Sequence, residues 1–343
     1  MCLNFATFTR MMFSSETYRT RRSVLKQQVS SGLILLMGNQ ESPMNYRDNP
    51  YPFRQDSSFL YYFGIASPNL AAVIDVEADQ TMIFGDELTM EDVIWMGRLE
   101  TLKAKAHRSG VDDTRPADAL APFISEAIRQ GRKVHFLPPY RPDNAIALSA
   151  MTGIPIAQLT TSASLTLIRA VVAQRLIKSD VEIAEIERTV DVSVDMHLAA
   201  MRLARPGMTE QRLTAEVAYV AQREGYSLAY PTILTIRGEV LHNHDHGNTL
   251  AEGDLVLNDS GAESPMGYAG DLTRTFPAGR RFTERQREVY EVVLTALETA
   301  TAALKPGVRY LDIHLLACRT LVEGLNALGL MHGDPVEAVA AGA

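Results

Sequence analysis

The sequence is poor in cysteine and tryptophan and has no long apolar run. Its 343 residues include two cysteines and one tryptophan. Cys2 stands near the start of the chain and Cys318 on a predicted helix, so we expect no disulfide framework and a reducing, cytoplasmic location. No stretch approaches the ~18 consecutive apolar residues of a membrane-spanning helix. We therefore expect a cytoplasmic protein that does not associate with membranes.

Basic residues are outnumbered by acidic ones. The chain has 33 Lys and Arg against 41 Asp and Glu, which gives a net charge of -8 and a pI near 5.6. Nucleic-acid binding usually needs a basic surface, so we expect no nucleic-acid partner and consider small molecules or peptides as substrates. A hydrophobic fraction of 46% is typical of a folded globular chain, and the length predicts two domains.

The first half of the chain alternates predicted helices with predicted strands. Apolar and aromatic runs predict strands at 33–37, 59–63, 71–76, 81–84 and 133–137. Helical patterns occupy 15–26, 118–130 and 143–151. This alternation predicts an α/β domain over residues 14–172, after a disordered lead-in at residues 1–13.

The second half, residues 173–343, is predicted to be mainly helical. Ser179 and Glu182 form a capping-box pattern, and an apolar stripe at three- and four-residue steps predicts the core face of the helix that follows. The stripe consists of Ile183, Ile186, Val190, Val194, Leu198 and Met201. Thr283 and Gln286 repeat the capping box before another long helix.

An internal repeat organises this second half. Pro-Gly pairs at 206–207 and 306–307 are 100 positions apart, and each stands between two predicted helices. The first copy continues into strands that carry Asp259, whereas the counterpart of Asp259 would fall beyond the last residue. We therefore expect the second copy to have its helices without its strands. On that expectation, helices 283–304 and 311–328 expose apolar faces and favour association.

Two aspartates form the most informative pattern. Asp259 interrupts an apolar run, and Asp271 follows on a second predicted strand after a turn that contains Ser264, Pro265 and Gly267. The two carboxylates are predicted to face each other on the buried side of neighbouring antiparallel strands. Like charges so close need a bound cation or a shared proton, which indicates a metal site or an acid/base pair. The alternative is that both are polar residues of an ordinary hairpin.

Six segments together resemble a known family of enzymes. They are 53–61 (FRQDSSFLY), 177–183 (IKSDVEI), 241–243 (LHN), 253–257 (GDLVL), 271–277 (DLTRTFP) and 282–290 (FTERQREVY). In this order they are similar to the Xaa-Pro aminopeptidases (aminopeptidase P), which are pita-bread metallopeptidases. The resemblance implies a creatinase-like α/β N-terminal domain followed by an α+β pita-bread catalytic domain, here expected to lack its last strands.

The resemblance also implies a site with two divalent cations. Mn²⁺ is expected first, with Zn²⁺ or Co²⁺ as alternatives. Asp259 is expected to bind one ion through both carboxylate oxygens and Asp271 to bridge the two, so that a hydroxide between the ions attacks the peptide bond before proline. His242 matches the family histidine that positions the substrate or moves protons. His244 and His246 are interpreted as loop histidines, with a metal cluster on one strand face as the alternative.

Two departures from the family pattern stand out. Asp259 and Asp271 are twelve positions apart where many relatives have eleven, which we assign to one extra residue in the turn at 264–266. The remaining family ligands, one histidine and two glutamates, are absent from this chain, since no candidate has the required strand context. The candidates considered are His314, His332, Glu323 and Glu337. We therefore expect this chain alone to bind metal weakly and to have negligible peptidase activity.

Three other functions share the same scaffold. Prolidase cleaves only dipeptides, and its ligands do not distinguish it from an aminopeptidase. Creatinase-like enzymes work without metals and would not need both Asp259 and Asp271. A non-catalytic peptide-binding module is the third alternative. We expect short proline-containing peptides as partners and a homodimer or homotetramer, and we interpret Trp95 and the acidic stretch 87–92 as a surface helix.

Overall fold

The computed structural model describes residues 13–97 and 99–342, and the chain divides into two compact units. The predicted lead-in at 1–13 lies outside the described residues except for Phe13. The first unit contains the chain up to Val190 together with Gly225–Ser227 and Glu263–Gly270. The second unit contains Asp191–Glu224, Leu228–Ala262 and the residues from Asp271 onward.

The first unit is built from helices around one mixed sheet. Its helices are α1 (Ser15–Val29), α2 (Ser57–Phe63), α3 (Met90–Met96), α4 (Leu102–Arg108), α5 (Leu120–Arg129), α6 (Pro142–Thr152), α7 (Ile156–Ser162) and α8 (Leu165–Leu176). Its strands are β1 (Leu33–Met37), β2 (Ala71–Asp75), β3 (Gln80–Phe84), β4 (Asp113–Arg115) and β5 (Val134–His135). The sheet order is β4-β3-β2-β1-β5, antiparallel in its centre and parallel at both edges.

Strand β1 supplies both faces of the core, which explains its uninterrupted apolar sequence. Ile34 and Leu36 join one buried cluster with Phe59 of α2. Leu33 and Leu35 join a second cluster on the opposite face of the sheet. A strand that is covered on both sides needs apolar residues at every position, because its side chains alternate between the faces.

The predicted strand at 59–63 is wrong, because the segment forms helix α2. Oδ1 of Asp56 accepts the backbone N–H groups of Ser58 and Phe59 at 2.9 and 2.8 Å, which caps the helix. Gly64 ends it with φ of 66°. Aromatic residues suggested a strand, but their three- and four-residue spacing places Phe59 and Tyr62 on one buried helix face.

The second unit combines a small sheet with long helices. Its helices are α9 (Asp180–Leu203), of which the later part belongs here, α10 (Glu210–Arg223), α11 (Glu284–Ala303), α12 (Tyr310–Ala327) and α13 (Pro335–Ala340). The strands in this part of the chain are β6 (Ser227–Leu228), β7 (Ile233–Thr235), β8 (Leu255–Ser260), β9 (Ala262–Glu263) and β10 (Leu272–Pro277). Strand β8 lies between β7 and β10 in an antiparallel sheet, and β6 pairs with β9.

The internal repeat is confirmed at the level of single residues. Helix α9 ends at Leu203 and α11 at Ala303, while α10 and α12 begin 100 positions apart. Gly207 and Gly307 have nearly equal φ angles of 85° and 87°, a left-handed conformation that glycine adopts without strain. Among the described residues after α12 there is only the short helix α13, which the sequence did not predict, and no strand.

The buried face of α9 differs from the prediction. Val194, Leu198 and Met201 of the predicted core stripe are 37–40% exposed, whereas Met196 is fully buried and His197 is 3% exposed. Exposed apolar residues also occur on α11 and α12, as predicted. They include Val293, Leu297, Leu311 and Leu315. The apolar spacing identified the helix correctly but not the face that packs in this structure.

No single helix in the ranges 13–97 and 99–342 is both long and apolar enough to cross a membrane. Taken together, α7 and α8 are long and apolar enough, but they are bent by 59° relative to each other. In this structure Leu159 and Leu167 of that pair are fully buried in the cores of the first unit.

Candidate active site

Strands β8 and β10 bring the two predicted aspartates together. Asp259 lies in β8, where its backbone is paired with Thr273 on one side and Ile233 on the other. Asp271 immediately precedes β10. The predicted antiparallel arrangement is therefore confirmed. The expectation that both carboxylates are buried is wrong, since Asp259 is partly buried and Asp271, just outside the strand, is exposed.

Tyr230 joins the two carboxylates. Its phenolic oxygen lies 2.6 Å from Oδ1 of Asp259 and 2.8 Å from Oδ1 of Asp271. Burial, followed by the hydrogen bonds to Asp259 and Asp271, raises the pKa of Tyr230 well above the ordinary value of a phenol. The hydroxyl therefore stays protonated and serves as a donor. Tyr230 could not be predicted from the sequence, because its position near Asp259 depends on the pairing of β7 with β8.

A buried histidine supports the opposite side of β8. Nε2 of His197 lies 3.2 Å from the carbonyl oxygen of Ser260 and donates to it, while Nδ1 accepts from Nδ2 of Asn258 at 3.1 Å. This pattern needs a neutral imidazole, and burial lowers the pKa of His197 accordingly. Asn258 and Ser260 flank Asp259 and are fully buried, so these bonds fix the strand that presents the carboxylate. His197 was also missed, because it is distant in sequence.

His242 lies on a loop and not in the sheet. It is exposed, and within the described part of the chain no hydrogen bond joins it to Asp259 or Asp271. His244 is exposed as well, and Nδ1 of His246 donates to the carbonyl oxygen of Leu234 at 3.2 Å. Residues 236–248 form no strand, so the alternative of a histidine cluster on one strand face is wrong and the interpretation as loop histidines agrees with the structure.

The remaining candidate ligands lie on or between the C-terminal helices and not on the strands that present the two aspartates. His314 and Glu323 are on α12, and Glu337 is on α13. His332 lies between these helices, and Glu323 pairs with Arg319 at 3.2 Å. Over the described ranges, no group of three or more His, Cys, Asp or Glu side chains is arranged to hold a metal ion. The chemistry of the two converging carboxylates fits a hard divalent cation, but they supply only part of a coordination shell.

Trp95 lies on an exposed helix, as predicted. It is 80% exposed on α3, whose first turn contains Glu91 and Asp92.

The predicted turn between the two aspartates is also present, since the N–H of Gly267 donates to the carbonyl oxygen of Ser264 at 2.8 Å. Gly267 has φ of 79°, which favours glycine at this position.

The division into two units and the two carboxylates presented beside β8 and β10 are features of pita-bread metallopeptidases. Residues 184–336 match the model of the metallopeptidase family M24, and residues 18–135 match the N-terminal domain of aminopeptidase P. The chain belongs to the M24 metallopeptidases of the aminopeptidase P type, a family of hydrolases. These matches confirm the predicted α/β N-terminal domain followed by a pita-bread domain.

Three similar proteins illustrate the relationship. The Xaa-Pro aminopeptidase of Escherichia coli K12 is 32% identical over 341 residues, which cover 95% of this chain and 76% of that protein. The Xaa-Pro dipeptidase of Rattus norvegicus is 29% identical, covering 88% of this chain and 62% of that protein. The structure of zinc-substituted E. coli aminopeptidase P in complex with product has a TM-score of 0.84 at 30% identity, covering 97% and 78% of the two chains.

Proposed function

We propose that this chain carries part of the metal-dependent site of an Xaa-Pro aminopeptidase, with Asp259 and Asp271 as metal ligands. The observation that carries the proposal is the convergence of both carboxylates on the single hydroxyl of Tyr230. Removal of the N-terminal residue before proline is favoured over dipeptide cleavage, because the E. coli aminopeptidase is 32% identical over 341 residues and the rat dipeptidase 29% identical over 309.

Two Mn²⁺ ions are the proposed cofactor, because carboxylate oxygens suit hard divalent cations. When bound, such ions supply Lewis-acid activation of the attacking water and stabilise charge on the peptide carbonyl. Other residues of the chain hold the proposed ligands in place. Tyr230 donates to Asp259 and so fixes its carboxylate, and His197 holds the buried side of β8. His242, exposed on its loop, is proposed to position the peptide or transfer a proton.

Two metal ions need more ligands than these two carboxylates supply. We therefore expect the 343-residue chain to bind Mn²⁺ only weakly. Isothermal titration of the wild type, Asp259→Asn and Asp271→Asn tests this expectation. Both variants should lose the binding, whereas Asp245→Asn, at an exposed position of the second unit, should retain it. Wild-type binding in either aspartate variant would refute the assignment of the ligands.

Peptide cleavage gives a separate test. A tripeptide with proline in the second position and the corresponding Xaa-Pro dipeptide are incubated with this chain and Mn²⁺, and the products are separated by chromatography. We expect no more than trace turnover. Turnover comparable to that of the E. coli aminopeptidase would contradict the expected shortage of ligands, and cleavage of the dipeptide alone would favour the prolidase alternative.

A further inference from the structure

The loop at 236–248 carries His242 and contains no helix or strand. It follows β7 directly and ends beside Thr249, which forms an isolated bridge with Thr209. Irregular segments of this length in compact domains are commonly functional, but their conformation depends on a few anchoring contacts. The anchors of this loop therefore decide where His242 is held.

One buried carboxylate anchors both ends of the loop. Glu210 has no exposed surface. Its Oε1 accepts the backbone N–H of Ile236 at 2.7 Å, at the start of the loop. Its Oε2 accepts the backbone N–H and the Nδ2 amide of Asn248 at 3.2 and 3.0 Å, at the end of the loop. The two ends are thus tied to each other through a single side chain.

Hydrogen bonds run in both directions between the start of α10 and the loop. Glu210 is the first residue of α10, after the capping residue Thr209, and the free N–H groups of a helix N-terminus favour a carboxylate there. In return, the N–H of Glu210 donates to the carbonyl oxygen of Asn248 at 2.9 Å, and the N–H of Gln211 donates to that of His246 at 3.1 Å. Helix and loop therefore satisfy each other's backbone hydrogen-bonding groups.

We propose that Glu210 is a positioning residue for His242, acting through the loop and not on the substrate. The inference rests on the role of His242 given under Proposed function. Other bonds also shape the loop: Nδ2 of Asn243 donates to Oγ1 of Thr235 at 3.1 Å, and Nδ1 of His246 donates to the carbonyl oxygen of Leu234 at 3.2 Å. Glu210 differs from them because its carboxylate accepts backbone N–H groups at both ends of the loop. A group that acts from a loop needs such an external anchor to keep its geometry.

Amide hydrogen exchange of the 343-residue chain tests the proposal. In Glu210→Gln one acceptor oxygen becomes an N–H donor that faces other donors, so exchange in 236–248 should become about tenfold faster. Peptides from β8, residues 255–260, should exchange as in the wild type. Glu216→Gln, a partly exposed position on the same helix, is the control and should change neither region. Glu210→Asp keeps the charge and should restore part of the protection.

Tryptic cleavage after Arg237 supplies a second measurement that does not depend on exchange kinetics. It should be accelerated in Glu210→Gln and unchanged in Glu216→Gln. Unchanged exchange and cleavage in Glu210→Gln would overturn the proposal. Equal acceleration in the loop and in β8 would also overturn it, because it would show only global destabilisation.

His242→Ala tests the separate proposal that His242 acts on the peptide. If His242→Ala binds an Xaa-Pro tripeptide as tightly as the wild type in isothermal titration while Glu210→Gln frees the loop, the role of His242 in positioning the peptide fails and the anchor stands.

Discussion

The hydroxyl of Tyr230 donates to Oδ1 of Asp259 at 2.6 Å, and the same phenolic oxygen lies 2.8 Å from Oδ1 of Asp271. One proton therefore serves two carboxylates, and ionisation of the phenol would place a third negative charge between them. Burial raises the pKa of Tyr230 first, and the two aspartates raise it further. The arrangement therefore favours the protonated phenol, which donates to the carboxylates.

Tyr230→Phe tests this protonation state by absorbance at alkaline pH. Because Tyr230 does not ionise, the wild type and the variant should show the same tyrosinate absorbance at 295 nm up to about pH 11. The signal of a single phenol is calibrated with N-acetyltyrosinamide, and circular dichroism verifies folding at each pH. Loss of one phenol's absorbance near pH 10 in the variant would contradict the assignment.

Local signals in the sequence predicted most of the elements. Strand β1 was found because its apolar residues are continuous, and α11 because Thr283 and Gln286 form a capping box that the structure contains. Segment 59–63 was assigned wrongly, although Asp56 and Gly64 provided the capping signals of a helix. In that segment short-range backbone hydrogen bonds outweighed the strand preference of aromatic residues.

Of the four residues described at the site, only the two aspartates could be predicted from the sequence. Asp259 and Asp271 could be found because they interrupt or flank strands that are close in sequence. Tyr230 and His197 could not, since they reach β8 through the cross-strand register and through a helix about 60 positions earlier. The packed face of α9 was missed for a similar reason. It is polar where hydrogen bonds to β8 are made, so hydrophobic spacing did not identify it.

Leu198→Gln and Met196→Gln test the packed face of α9. Leu198 is 37% exposed, so its substitution should change the free energy of unfolding by less than about 1 kcal/mol. Met196 is fully buried, and a polar amide there should cost about 3 kcal/mol. Urea denaturation followed by circular dichroism measures both. The reverse order of effects would show that α9 packs through its apolar stripe.

Arg132 and Asp75 form a bidentate ion pair in the first unit. Nη1 and Nη2 of Arg132 donate to the two carboxylate oxygens of Asp75 at 2.7 and 2.6 Å. Arg132→Met removes this pair together with the bond from Nη2 to Glu77 at 2.5 Å, and should lower the free energy of unfolding at pH 7 by about 2 kcal/mol. Arg129→Met, which removes the exposed pair with Glu126, should cost less than about 0.5 kcal/mol.

The cost of Arg132→Met should also depend on pH. The bond to Arg132 holds the pKa of Asp75 below the ordinary value of about 3.9. Since the unfolded chain binds this proton first, the stabilisation is fully present above about pH 4 and is lost as the pH falls through the folded-state pKa. Urea denaturation at pH 7 and pH 3 should therefore give a smaller difference between wild type and variant at pH 3. An equal difference at both values would show that Arg132 acts through packing alone.

The protonation of His135 should also destabilise this unit in acid, but at a higher pH than that of Asp75. Its Nε2 donates to the carbonyl oxygen of Ser31 at 3.1 Å, and Nδ1 accepts from Oγ of Ser164 at 2.6 Å, so the imidazole is held neutral. Burial is the main cause that lowers its pKa, with Lys133 contributing. The unfolded chain then takes up the proton first, so stability is complete above about pH 6.5 and declines as the pH falls toward the folded-state pKa. Proton NMR of the imidazole, assigned with His135→Gln, should show no titration of His135 near pH 6.5. A midpoint at or above that pH would contradict the buried neutral state.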